Sequence, residues 1–453
     1  MPVDKSVVHF NAIAPPLGLG IIASLTPDDW DIEILDENFE IFYYKNVDLV
    51  GITSWTVNIN RAYEIAEICK KNNTPVVMGG AHVSALPEEA LNYCDYVVKG
   101  NAENVWQVFI DDFCNGTAKK IYYTEPNNRF VKPRHDLFHK NYILGAIQTT
   151  RGCPLDCEFC YVTQFNGFKY YRKDPDEVVS ELVEIPQKFV FFIDDNLAGY
   201  TKKQEEDAII LFDKIIESKI KKYWYSQTSI NFAKNELLFK KAVQSGCGSV
   251  LIGFEAETEE ALKSINKHLN IKLDPSRYNE YIDLLQKHGI AVIAATIFSL
   301  ENDTFDSMEK RIKFLCSTSA ASITATFLTP FPGTRFFNRI SNQNKLVYNN
   351  YPNDWKYYNC RFLTFKTNYS EDAVKYEKHV LKIILKAYNP FRLFYRALLT
   401  LYYTKNIIAV LHSYSANLKY KNFLKGKSNS YYGLRLFLTK LLLKNRTSNK
   451  SKA

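Results

Sequence analysis

No run of about 18 apolar residues occurs in this chain of 453, so a bilayer-spanning helix is not expected. No basic, apolar, small-residue leader opens it, which argues against secretion. The cysteines number nine, an odd count, and six of them (Cys69, Cys94, Cys114, Cys247, Cys316, Cys360) are scattered, so a disulfide framework is not expected. These absences together lead to the expectation of a cytoplasmic protein with two or three domains. Acidic residues are missing entirely from Lys378 to the end, where 16 Lys or Arg stand. The body before it carries 41 basic against 49 acidic side chains, so charge is segregated into a body at −8 and a tail at +16. Such a tail is expected to meet a polyanion. Its bulky apolar content, as over 391–399 and 434–443, favours peripheral contact with a phospholipid surface over nucleic acid. The alternative is a terminal helical layer packed on the body, and the last eight residues are expected to fray.

What is present begins with Cys153, Cys157 and Cys160 in the run Arg151-Gly152-Cys153-Pro154-Leu155-Asp156-Cys157-Glu158-Phe159-Cys160. A 4Fe-4S cluster normally takes four thiolates, so three from one tight loop leave an iron open to a small molecule. Structural zinc would pair such cysteines with a second Cys or His pair, and none follows closely. The run resembles the signature of the radical S-adenosylmethionine (AdoMet) enzymes, Cys-x3-Cys-x-aromatic-Cys, with Phe159 in the aromatic place. That resemblance implies that AdoMet chelates the open iron. Electron transfer then cleaves it to a 5'-deoxyadenosyl radical, the protein orienting and shielding.

The chain before the cluster run alternates short β-branched runs with helical stretches: strands over 7–11, 31–35, 48–53, 75–78 and 96–99, helices over 16–25 and about 60–71. This is the pattern of an α/β, doubly wound parallel sheet, in which ligands sit beyond the carboxyl ends of strands. Those ends carry Thr53-Ser54-Trp55, Gly79-Gly80-Ala81-His82-Val83-Ser84 and Gly100-Asn101-Ala102-Glu103. These loops, with Pro15-Pro16-Leu17-Gly18 upstream, resemble the Rossmann-like cobalamin (B12)-binding domain that precedes the radical domain in a large group of AdoMet radical enzymes. The resemblance implies cobalamin contacts from Thr53, Ser54, Gly79, Gly80, His82, Ser84, Gly100 and Glu103, with His82 as a loop contact. Two departures stand out. The Asp-x-His-x-x-Gly motif that supplies a cobalt ligand elsewhere is absent, and the usual Gly-Glu-Ala-Glu reads Gly100-Asn101-Ala102-Glu103.

Residues 1–125 are thus expected to form the cobalamin-binding-like domain, 126–142 a Pro- and Asn-rich linker, 143–340 a partial (βα)6 TIM-type radical barrel, and 341–453 a mostly helical, basic region. Barrel strands are expected over 143–148, 189–193, about 226, 249–254, 292–298 and 323–328. By the resemblance Asp195, within Asp194-Asp195-Asn196, receives the AdoMet amino group, with Asn196 beside it. Ser229 and Glu255 touch its ribose or methionine part, and Phe159 belongs to the same pocket. The bland alternative for Asp195 is a helix N-cap. The fifth strand departs from the family where Phe298-Ser299-Leu300-Glu301-Asn302-Asp303 stands in place of a glycine and an acid.

The implied activity is that of a cobalamin-dependent (class B) radical AdoMet methyltransferase resembling the hopanoid methylases, acting on an unactivated carbon of a lipid or natural product. It would be served by a reductant such as flavodoxin or ferredoxin. Ring formation or rearrangement without methyl transfer, or a non-catalytic iron–sulfur sensor, are the alternatives. A tRNA methylthiotransferase would need a second cysteine trio and a terminal RNA-binding barrel, which the sequence does not offer.

Overall fold

The computed structural model describes residues 14–370 and 372–426. Within them the chain builds two parallel sheets and a short hairpin. The first sheet holds β1 (Val50–Thr53), β2 (Val76–Gly79), β3 (Tyr96–Lys99) and β4 (Ile121–Tyr123) side by side in chain order, every pair parallel. β2 shows why this sheet needs cover on both faces. Val76 and Met78 pack with Ile59, Tyr63 and Ala66 of the helix Ile59–Lys71, while Val77 packs with Trp106, Phe109 and Ile110 of the helix Trp106–Cys114. A strand that is apolar on both faces belongs inside a two-sided α/β layer.

Two sequence expectations change here. The segment 31–35 carries no strand and joins no sheet among the described residues. Its Ile34 packs against Leu17, Phe138 and Tyr142 instead, so the apolar–polar alternation records one-sided packing of extended chain. β4 was not anticipated, because Ile-Tyr-Tyr is only three residues long and sits at an edge with outer residues exposed. The strand expected over 7–11 lies outside the described residues.

The second sheet holds β5 (Leu144–Ile147) and, after the antiparallel hairpin β6 (Thr150–Arg151) and β7 (Tyr171–Arg172), the strands β8 (Phe189–Phe192), β9 (Tyr223–Thr228), β10 (Cys247–Glu255), β11 (Ala291–Phe298) and β12 (Ser322–Phe327). All six sheet strands are parallel and lie in chain order from β5 at one edge to β12 at the other, the connectivity of a (βα)6 unit with an open side. The helices Lys202–Glu217, Glu236–Gln244, Tyr278–Lys287 and Phe305–Ser317 bury one stripe each on its outer face. The Trp224 ring stacks between Phe192 (4.7 Å) and Phe212 (5.5 Å). Thr201 and Thr304 cap the first and last of these helices through side-chain bonds to Gln204 N and Ser307 N, each worth about 1 kcal/mol.

After β12 the chain runs through the helix Arg335–Asn342 and then back onto the first sheet. There Trp355 and Tyr358 complete the core beneath Ile59, Tyr63 and Val76, and the Tyr351 ring stacks on Trp355 at 3.7 Å. The helices Ala373–Leu385, Pro390–Thr404 and Ile407–Leu424 follow. The last is pinned to the β12 edge by Asn417, which accepts from Ile323 N (3.2 Å) and donates to Ala321 O (3.0 Å).

Candidate active site between the two sheets

The cluster run follows β5 at the carboxyl end of the second sheet and is shaped by protein contacts throughout. Asp194, fully buried at the end of β8, accepts from the backbone N–H of Thr149 and of Thr150, both at 2.7 Å. Gly152 has φ +83°, and a Cβ there would lie 2.3 Å from the Lys169 carbonyl oxygen, so only glycine fits. Cys160 N donates to Cys157 O at 3.1 Å, and the helix Tyr161–Asn166 begins at the next residue. Asp156 pairs with Arg335, and Glu158 accepts from Arg339 Nε at 2.7 Å and Nη2 at 3.0 Å. Phe159 packs into a cluster with Leu300, Leu328 and Phe336. What the loop leaves over is three thiols. Burial pushes Cys153 up to about 11, Cys160 up to about 12 and Cys157 upward as well, so a metal entering here displaces protons from all three.

Around those thiols the ends of β8, β9 and β10 bring four of the expected residues. Asp195 accepts from Gly152 N at 3.3 Å. Burial first, and the Asp194 carboxylate second, push its carboxyl up to about 6. Asn196 points its amide at Cys153 Sγ (3.9 Å), and its oxygen accepts from Ser229 N (3.2 Å). Thr228 Oγ1 is buried with no protein partner. Glu255 sits at φ +62°, directly after an irregularity in the β10–β11 register, a strained position for a residue with a side chain. Its carboxylate meets Lys267 Nζ at 2.9 Å in space that exists because residue 253 is glycine, where a Cβ would lie 2.3 Å from Glu255 Oε1. Burial alone would lower the Lys267 ammonium, but Glu255 and then Cys157 hold it above its ordinary value. Sequence reasoning missed Lys267, because it arrives from a loop with no motif of its own.

The carboxyl end of the first sheet is built differently. Gly80 has φ +97°, and a Cβ there would lie 2.7 Å from Ser54 O and 2.8 Å from Thr53 Oγ1; Gly79 beside it ends β2. Ser54 is buried and its hydroxyl has no protein partner. Ser84 Oγ accepts from Gly100 N at 2.9 Å. His82 is buried with both ring nitrogens occupied, Nδ1 by Thr56 Oγ1 (3.1 Å) and Nε2 by Glu89 (3.2 Å). Glu103, also buried, forms an ion pair with Arg151 of the cluster run. Arg129 Nη1 donates to Glu103 O (2.7 Å), and the Phe130 ring lies 4.8 Å from the Arg151 guanidinium. Arg151 stands two residues before Cys153, a position no cysteine-spacing argument could assign.

These contacts turn the two carboxyl ends toward each other. Tyr161, next to Cys160, donates to Ala81 O at 3.0 Å, and its ring meets that of Trp55 at 6.1 Å. Gly333 passes so close that a Cβ on it would lie 2.9 Å from that of Ala85. The cluster run and the loops after β1, β2 and β3 therefore stand in direct contact.

The sequence matches two family models in order, the B12 binding domain over residues 5–109 and the radical SAM superfamily over residues 147–315. The chain belongs to the cobalamin-dependent radical SAM enzymes. Among similar proteins, the enzyme is 29% identical over 424 residues to the bacteriochlorophyllide d C-8(2)-methyltransferase of Chlorobaculum tepidum, spanning 88% of this chain and 90% of that one. It is 25% identical over 356 residues to the hopanoid C-2 methylase of Rhodopseudomonas palustris, spanning 74% and 66%. Its fold is like that of the radical S-adenosylmethionine methyltransferase TsrM from Kitasatospora setae, with a TM-score of 0.65 at 16% identity over 83% of this chain and 87% of that one. The cobalamin-dependent radical enzyme OxsB gives 0.62 at 12% identity over 90% and 73%.

The cofactors of this radical SAM enzyme are a 4Fe-4S cluster, AdoMet and cobalamin, and the residues present fit all three. Three thiols stand in one preformed loop, a buried carboxyl lies beside them, and the Ser54 and Thr228 hydroxyls are orphaned at the strand ends of the two sheets. No helix among the described residues is long and apolar enough to cross a membrane.

Proposed function

We propose that this enzyme methylates a carbon of a large, polycyclic, mostly apolar substrate. The observation that carries the reading is the direct contact of the cluster run with the loops after β1, β2 and β3, through Tyr161 on Ala81 and Trp55 and Arg151 on Glu103. The chemistry supplied when the cofactors are bound is reductive cleavage of AdoMet at the cluster and delivery of a methyl group from cobalamin. Cys153, Cys157 and Cys160 hold the cluster and leave one iron for AdoMet. Asp195 receives the AdoMet ammonium, a charge-assisted bond for which its poorly satisfied carboxyl is suited. Asn196 fixes the Ser229 backbone, while Glu255 and Ser229 border the rest of AdoMet. Gly79, Gly80 and Gly100 let cobalamin approach the backbone of the first sheet, and Thr53 and Ser54 line the same end. Ser84 and Glu103 hold those loops in place. The protein's task is positioning the acceptor carbon between the two cofactors and keeping water out. An electron must come from a reductant such as flavodoxin or ferredoxin.

Relatives named for bacteriochlorophyllide d and hopanoid methylation support this substrate class. A peripheral membrane contact through the basic carboxy-terminal region belongs to the same reading, since such acceptors partition into lipid.

The test is anaerobic reconstitution with iron, sulfide and hydroxocobalamin, then incubation with methyl-deuterated AdoMet and a bacteriochlorophyllide or a hopanoid. The expected outcome is label on an acceptor carbon, with 5'-deoxyadenosine and S-adenosylhomocysteine formed together. Formation of 5'-deoxyadenosine and a cyclised or rearranged product, without S-adenosylhomocysteine, would replace methyl transfer by the ring-forming chemistry.

A further inference from the structure

The helix Pro390–Thr404 has two unlike sides. Leu393, Arg396, Thr400 and Thr404 are buried, and Arg396 fastens the helix by donating to Ala320 O and to Leu315 O (3.2 Å). On the other side Phe391 (81% exposed), Phe394 (61%), Tyr395 (53%), Leu398 (49%), Leu401 (41%) and Tyr402 (75%) face outward. Spacings of three and four place these six on one stripe. Exposed apolar side chains scattered singly are ordinary; a contiguous aromatic stripe is an interaction surface.

We propose that this stripe is the element by which the enzyme lies in the surface of an anionic lipid leaflet, an inference that rests on the peripheral contact proposed above and names its site. The occupant is argued from charge. From Lys378 to Lys425 the chain that carries the stripe holds nine Lys or Arg and no Asp or Glu, a charge complementary to an anionic surface. A second copy laid isologously on the stripe would bring positive against positive. A helix of 15 residues is shorter than the roughly 20 a bilayer span requires, and Phe and Leu interleaved with Tyr suit the boundary between headgroup and acyl chain.

The experiment is flotation of the full-length, reconstituted enzyme with vesicles of phosphatidylcholine alone or mixed equally with phosphatidylglycerol. Wild type is compared with the triple variant Phe391→Ser, Phe394→Ser, Leu398→Ser. Iron content, cobalamin content and thermal melting serve as controls that the variant is folded. Wild type should float with the anionic vesicles, more weakly as salt rises, and the variant should bind them on the order of tenfold less. If the folded variant floats as well as wild type, the stripe is not the contact, although membrane association stands. If wild type does not float, both fall. A wild-type dimer in sedimentation that the variant splits would assign the stripe to a second copy and overturn the lipid proposal.

Discussion

The two sheets offer their ligands opposite kinds of surface. At the carboxyl end of the first, polar side chains are already engaged: His82 with Thr56 and Glu89, Ser84 with Gly100, Glu103 with Arg151. What remains is the unpartnered Ser54 hydroxyl and backbone opened by Gly79, Gly80 and Gly100. At the carboxyl end of the second, polar side chains are poised around the thiols: Asp195 buried with one backbone donor, Glu255 strained, Lys267 beside two cysteines. Under the proposed function, a broad ligand would be accommodated by shape on one side and a small charged one captured by electrostatics on the other. Both ring nitrogens of His82, expected as a loop contact, are taken by Thr56 and Glu89.

The contrast can be broken most severely at the cluster. Cys157→Ala should abolish AdoMet cleavage and leave hydroxocobalamin uptake intact, read by iron content and by the visible spectrum of the bound corrinoid. Next in size is the tie between the sheets. Glu103→Gln leaves the buried Arg151 guanidinium without its counter-charge and should cost about 3 kcal/mol in denaturant unfolding; an unchanged midpoint would reduce the pair to a bystander. Gly80→Ala combines a left-handed backbone with a contact to Ser54 O and should cost about 2 kcal/mol, lowering cobalamin affinity while AdoMet binding is retained. Asp195→Asn should do the reverse, weakening AdoMet roughly tenfold, about 1.4 kcal/mol, with cobalamin unaffected. The smallest effect concerns pH. Burial would raise the Glu89 carboxyl, but donors from His82, Trp355 and Tyr63 hold it below its ordinary value. A depressed folded pKa contributes stability above the unfolded value, near 4.3, that is lost as pH falls through the folded one. Glu89→Gln should therefore be less stable than the parent at pH 7, with the gap closing below about pH 4.

Much of this was readable from residue order. The cysteine run, the doublet of aspartates and the strands of the second sheet follow from local pattern, because each parallel strand is a short apolar run with its loop at one end. The resemblance singled out Asp195 of the doublet, but the role of Asp194 appears only in three dimensions, where it takes the Thr149 and Thr150 amides while Asp195 faces the cluster loop. Arg151, Lys267 and Trp355 were invisible for a different reason: each acquires its meaning from a partner at a long sequence separation, and one sequence carries no record of such pairings. The stretch 31–35 misled because alternation alone cannot distinguish a ladder from a one-sided extended strap.

Trp355 and Tyr358 sit in the core of the first sheet although the whole second sheet lies between them and it along the chain. During synthesis the amino-terminal half thus emerges from the ribosome with an apolar face still bare, and cannot close that face until the aromatic pair follows much later. Such a layout invites chaperone custody of the nascent chain, and it ties maturation of the cobalamin half to completed translation of the radical half.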